Sequence, residues 1–174
     1  KVVLVSDPTA EVAAASLDVN IGSGDDPADR AGLAHFLEHM LFLGTEKFPD
    51  PGEYRAFINA NGGSQNAYTA HENTNYYFDI EAGALEGALE RFSQFFTSPL
   101  FDARYVKRER HAVHAEYMTR LKSDAQRTYE VLKESVNPGH PFSQFSVGSN
   151  ESLADRPGEA VRDRLIKFYS KHYR

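Results

Sequence analysis

Gly32-Leu-Ala-His-Phe-Leu-Glu-His-Met-Leu-Phe-Leu-Gly44 is the stretch on which the fold turns. Leu33, Phe36, Leu37, Met40 and Leu41 fall at i, i+3, i+4, i+7 and i+8, which predicts a helix with one buried stripe, and Gly44 ends it. At ~100° per residue, His35, Glu38, His39 and Phe42 share the other face, so that face borders either solvent or a cleft. Two imidazoles one turn apart can close on a single metal ion. A carboxylate at i+3 from the first stands beside that ion without having to be a ligand. The bland alternative is a pair of surface or capping histidines that simply pair with Glu38.

Upstream, Gly22 to Pro27 reads as a loop and Val12 to Ile21 as a half-buried strand; Lys1 to Val5 reads as a further strand that Asp7-Pro8 turns back. Downstream, a short helix over 53–60 gives way to Asn61-Gly62-Gly63, turn chemistry that calls for positive φ, and to strands near Ser64 to Ala70 and Asn75 to Ile80. Leu85, Leu89, Phe92 and Phe96 mark an amphipathic helix. A long helix from Ala103 to about Val136, with a candidate break near Lys122-Ser123-Asp124, is ended by Pro138. Residues 139–157 look loop-like, and a last helix runs from about Glu159 to His172. Strands followed by helices give an α+β fold: a mainly antiparallel sheet with helices packed on one face.

The 174 residues suit one domain or slightly more, and 41% hydrophobic with 25% charged residues are ordinary for a chain that folds. A net charge of −6 argues against nucleic acid as a partner, since neutralising phosphates needs clustered Lys and Arg. The basic run Arg104 to Arg110 is interrupted by Glu109 and reads as a solvated helix face. No stretch approaches the ~20 apolar residues of a membrane helix, and the first residues lack the pattern of a signal peptide, so no membrane partner is expected. The absence of cysteine excludes thiolate ligands, and any tightly bound zinc must be held by imidazole and carboxylate.

A catalytic zinc normally keeps three protein ligands and one open position, so a third ligand is needed. The long helix offers Glu109, His111, His114 and Glu116. Glu109 and Glu116 are seven apart and share a face, whereas His111 and His114 point roughly the opposite way. As a second metal pair, these two lack a carboxylate on their own face, and they are expected to be surface or interface residues. A purely structural zinc would ordinarily take four protein ligands, often cysteines.

His35-x-x-Glu38-His39 followed by Glu116 resembles the inverted motif and distant helical glutamate of the pitrilysin and insulysin family of zinc peptidases. Gly32 to Thr45, Gly62 to Thr69, Thr74 to Ile80 and Glu109-x6-Glu116 look like that family's stretches, in its order, so the resemblance covers essentially the entire chain. It implies that His35, His39 and Glu116 bind Zn2+, that Glu38 is the general base and that Glu109 steadies the site from outside. It also implies that the edge strand Ser64 to Thr69 holds a peptide substrate by β-augmentation, with Asn66 and Ala67 nearest the scissile bond. The resemblance leaves Phe42 divided between lining a side-chain pocket and packing in the core. Without it, Ser64 to Thr69 is merely a polar strand after a glycine turn.

Members of that family have further homologous domains, in two halves around a chamber. The expectation is therefore that residues 1–174 are the zinc-binding peptidase domain of a longer polypeptide whose remaining domains are its partners. The piece alone would be weakly active or inactive, and its uncovered apolar surface would favour self-association. A relative that has lost catalysis and serves as a binding module is the other reading, although every zinc and base position here carries the right residue type. Location stays open: periplasmic for a bacterial source, cytosolic for a eukaryotic one.

Overall fold

The structure, a computed structural model, describes residues 1–173. Three strands, β1 (Val12–Val19), β2 (Ser64–Thr69) and β3 (Thr74–Glu81), form an antiparallel sheet in the order β1-β3-β2. Six α-helices accompany it: α1 (Leu33–Leu41), α2 (Glu53–Ala60), α3 (Leu85–Gln94), α4 (Ala103–Arg120), α5 (Asp124–Glu134) and α6 (Val161–His172). The α+β architecture with helices on one side of the sheet follows from the alternation along β3. Thr74, Tyr76, Phe78 and Ile80 are buried on one face, while Tyr77 and Glu81 are exposed on the other. Ala15 and Ala67 sit opposite Phe78 and Tyr76 in the register and line the same inner face. Among the described residues, no helix is long and apolar enough to cross a membrane.

Three outcomes carry physical content, the first a correction of the sequence reading and the other two a choice between alternatives it left open. Lys1 to Val5 forms no strand: Val2, Val3, Leu4 and Val5 are 84–91% exposed. β-propensity alone does not make a strand, because its N–H and C=O groups need a ladder, and β1 pairs only with β3. Secondly, α1 is not half-buried. Every residue from Leu33 to Leu41 except His39 is buried, so the helix runs through the interior, and its polar face borders a cleft rather than bulk solvent. Thirdly, the long helix read from Ala103 to about Val136 breaks where the sequence offered a candidate break, at Leu121 to Ser123, and the Ser123 hydroxyl accepts from Gln126 N–H to start α5.

The start of α1 is built from distant parts. Its N-terminal residue Gly32 offers no side-chain cap, and the buried Asp26 takes that role, accepting from Gly32 N–H and Ala34 N–H at 2.7 Å each. Burial pushes the Asp26 carboxyl up to about 7, against the pull of those two N–H groups and of nearby His35. Gly32 and Gly148 both hold positive φ and lie back to back; a Cβ on Gly32 would sit 2.2 Å from Gly148 Cα. The loop before α6 is thereby locked against the helix that carries the motif. The fully buried Arg30 adds a second tie by donating to the carbonyl of Ala154 at 3.0 Å.

Candidate active site

α1 presents His35 and His39 one turn apart, with ring centroids 4.8 Å apart and planes at 86°. α4 crosses beside it and brings Glu116 to both rings: His35 Nε2 lies 3.3 Å from Glu116 Oε2, and His39 Nε2 lies 3.3 Å from Glu116 Oε1. One ligand atom from each of the three lies within 4.8 Å of the others.

The outer nitrogen of each ring has its own partner. His35 Nδ1 donates to the Val147 carbonyl at 2.7 Å, and His39 Nδ1 faces Glu109 Oε2 at 3.5 Å. With Nδ1 protonated on both rings, the Nε2 lone pairs both point inward, which is how metal-binding imidazoles are usually oriented. Arg108 donates to the other Glu109 oxygen at 2.9 Å, so that carboxylate is held from both sides. The donor set fits a zinc ion: one atom from each of the three residues lies within 4.8 Å of the others, near enough to share one cation, and two imidazoles with one carboxylate leave a fourth position free.

The charges are tuned to one another. Burial draws the His39 imidazole down, but Glu109 and Glu116 outweigh it and carry the ring up to about 9. Hydrogen bonds from His35 and His39 hold Glu116 well below the usual carboxylate range, and His39 does the same more mildly for Glu109. A divalent cation bound here takes the place of the His39 proton.

Glu38, buried on α1 between the two histidines in sequence, accepts from the Thr69 hydroxyl at 2.5 Å through Oε2. A cleft of about 770 Å³ opens over the cluster, lined among others by His35, Glu38, Phe42, Asn66, Ala67 and Glu116. β2 forms one wall. Its hairpin to β3 closes with Ala70 N–H on the Asn73 carbonyl, so by the alternation of an antiparallel ladder Gln65, Ala67 and Thr69 turn their N–H and C=O groups to the free edge. The Ala67 N–H is met there by Asn66 Oδ1 at 2.9 Å. Phe42 borders the cleft, and its ring also packs against Phe95 at 5.2 Å and Tyr54 at 6.2 Å.

His111 and His114 stay outside this cluster; His114 Nδ1 accepts from Asn150 N–H at 3.4 Å. Three contributors escaped the sequence reading. The Val147 carbonyl has no side-chain signature and lies in a stretch read only as loop. Thr69 was placed on the right strand without a role of its own. Asp26 was read as part of the loop before α1, although an aspartate ahead of an uncapped helix is a signal that could have found it.

Residues 1–141 match the profile of the insulinase family of peptidases, M16. The chain is 50% identical to bovine insulin-degrading enzyme and 48% identical to the A-factor-processing enzyme of Saccharomyces cerevisiae, in each case over 99% of its own length and 17% of the relative's. A crystal structure of pitrilysin superposes with a TM-score of 0.91 at 42% identity, over 97% of this chain and 18% of that one. The chain thus spans about a sixth of the length of the relatives it matches.

Proposed function

This chain belongs to the insulinase family of peptidases, and on that premise we propose that it is the zinc-binding domain of an endopeptidase acting on peptides or small unfolded proteins. The observation that carries the reading is the convergence of His35, His39 and Glu116 beside Glu38, with Nδ1 of each imidazole engaged from outside. His35 and His39 supply Nε2 and Glu116 a carboxylate oxygen. Zinc bound there supplies Lewis acidity, polarising a peptide carbonyl and acidifying water toward a pKa of ~7.

The remaining work falls to the chain. The edge of β2 takes an extended peptide as an added strand, the outward C=O of Ala67, and its N–H once the peptide displaces Asn66 Oδ1, providing main-chain hydrogen bonds and Asn66 flanking the scissile bond. Phe42 lines the wall against which a neighbouring substrate side chain rests. Glu38 removes a proton from the attacking water through its cleft-facing oxygen. It delivers that proton to the departing amine as the C–N bond breaks and the water oxygen joins the carbonyl carbon. Glu109 holds His39 in the orientation that this chemistry needs. The remaining domains of the same polypeptide complete the substrate chamber, and the isolated domain binds zinc but turns peptide over weakly.

In the full-length protein, Glu38→Gln is expected to retain one zinc per chain while hydrolysis of a quenched fluorescent peptide drops by ~10²–10⁴-fold. Unchanged turnover in that variant refutes the assignment, as does a wild-type protein that carries no zinc.

A further inference from the structure

The geometry points to Thr69 as a positioning residue for the general base, an inference that rests on the peptidase reading above and deepens it. Glu38 makes one hydrogen bond among the described residues, from Thr69 Oγ1 to Oε2 at 2.5 Å, a length typical of a hydroxyl held on a charged carboxylate. The carboxylate is nearly enclosed, at 8% exposure, and an enclosed charge without a donor is costly. Its second oxygen, Oε1, has no hydrogen-bond partner among the described residues and is not sealed from solvent, and Glu38 lines the cleft. Thr69 therefore does two things: it satisfies one oxygen and, by fixing the carboxylate plane, aims the other.

The donor's place in the fold gives this bond its significance. Thr69 is the last residue of β2, and its side chain faces inward, beside the buried Thr74 that pairs with it across the hairpin. Its backbone N–H and C=O lie in the plane of the sheet and face the free edge, two residues beyond Ala67. One strand therefore carries both the groups that seat the peptide and the hydroxyl that sets the base. Displacement of that strand moves the scissile bond and the proton acceptor together. Misplacing a reacting group by ~1 Å costs on the order of 10²-fold in rate, so a shared support of this kind guards alignment.

The test uses the full-length enzyme with Thr69→Val, which keeps shape and strand preference but removes the donor, together with Thr69→Ala and Thr69→Ser. Each is measured alone and combined with Glu38→Gln, by kcat and KM on a quenched fluorescent peptide, zinc per chain and Tm. We expect Thr69→Val and Thr69→Ala to lower kcat by ~10–100-fold with KM nearly unchanged and zinc retained. Thr69→Ser should restore most of the rate. In the Glu38→Gln background the same changes should have almost no further effect, because their target is gone. A purely structural role predicts instead an equal loss in both backgrounds, and that result overturns the inference, as does wild-type kcat in Thr69→Val or a loss confined to KM. If Thr69→Val does not fold, Thr69→Ala and Thr69→Ser give the same comparison. The peptidase reading fails separately, through a Glu38→Gln enzyme that still turns over at the wild-type rate.

Discussion

Replacing Gly32 by alanine should damage metal binding without touching a single ligand. Gly32 has φ +88°, a conformation that costs an L-residue ~1–2 kcal/mol. Its new Cβ would lie 2.2 Å from Gly148 Cα and 2.4 Å from Gly148 N, where carbon atoms in contact normally stand at ~3.5–4.0 Å. Both neighbours are backbone, so the loop around Gly148 must retreat by more than ~1 Å, at the ~1–3 kcal/mol typical of overpacking. Val147 moves with it, and its 2.7 Å bond to His35 Nδ1 is stretched beyond hydrogen-bonding range, removing a further ~0.5–1.5 kcal/mol. The total, about 2.5–6.5 kcal/mol, corresponds to a fall of roughly 5–25 °C in Tm for a chain of this size. With the His35 ring released, zinc affinity should fall by ~10–100-fold. Tm is to be measured on metal-free protein, because zinc stabilises whatever state binds it, and affinity by chelator competition. Gly83→Ala is the control: nothing lies within 4 Å of its added Cβ, and its stability should change by less than ~0.5 kcal/mol. Equal Tm and equal zinc affinity in the two variants would show that the glycine contact does not hold the site.

Glu109→Gln should weaken zinc binding by ~10–100-fold in a chelator competition, since His39 Nδ1 loses its charged partner while all three ligands remain; undiminished affinity would remove Glu109 from the site. Zinc uptake at neutral pH should release a proton, detectable in weak buffer, because His39 sits at about 9 in the metal-free protein. Its raised pKa stabilises the metal-free fold below the unfolded value near 6.5, and that contribution disappears as pH rises through about 9, while zinc affinity climbs over the same interval. Asp26, lifted from 3.8 to about 7 by burial, adds stability that is complete below pH ~4 and is lost as pH rises through about 7. The Tm advantage of wild type over Asp26→Asn, both metal-free, should therefore be larger at pH 5 than at pH 7.5, and a constant difference would contradict this.

What could be read from the sequence follows the range of the interactions involved. The α1 motif was legible because helical periodicity is local: five apolar positions define the axis, and the face shared by His35, Glu38 and His39 follows from 3.6 residues per turn. The break at Leu121 to Ser123 was legible for the same reason, since Ser123 caps the helix that follows. Pairing Glu116 with that motif is a tertiary fact. Periodicity put Glu109 and Glu116 on one face of α4 but could not choose between them, and the choice came from the family resemblance. The failure at Lys1 to Val5 has the opposite cause, strong local preference with no ladder partner to satisfy it.

Two of the groups that were not legible, Thr69 and Val147, share a property: each acts through a contact whose two ends are far apart in the chain, whereas Asp26 reaches Gly32 and Ala34 across only 6 and 8 positions. Thr69 reaches Glu38 across 31 positions, and Val147 reaches His35 across 112. The ligand set specifies only that a cation can be bound. The groups around it decide whether Nε2 points inward, whether Oε1 of Glu38 is the oxygen left free, and whether the peptide-binding edge stays in register with both. On the proposed function, the ligands can all be kept while zinc affinity falls, by freeing the 147–148 loop, or while turnover falls, by removing one hydroxyl from β2. Substitutions at Gly32 and Gly148 therefore test the support of the proposed metal site, and those at Thr69 test the proposed peptidase chemistry, where the motif alone does neither.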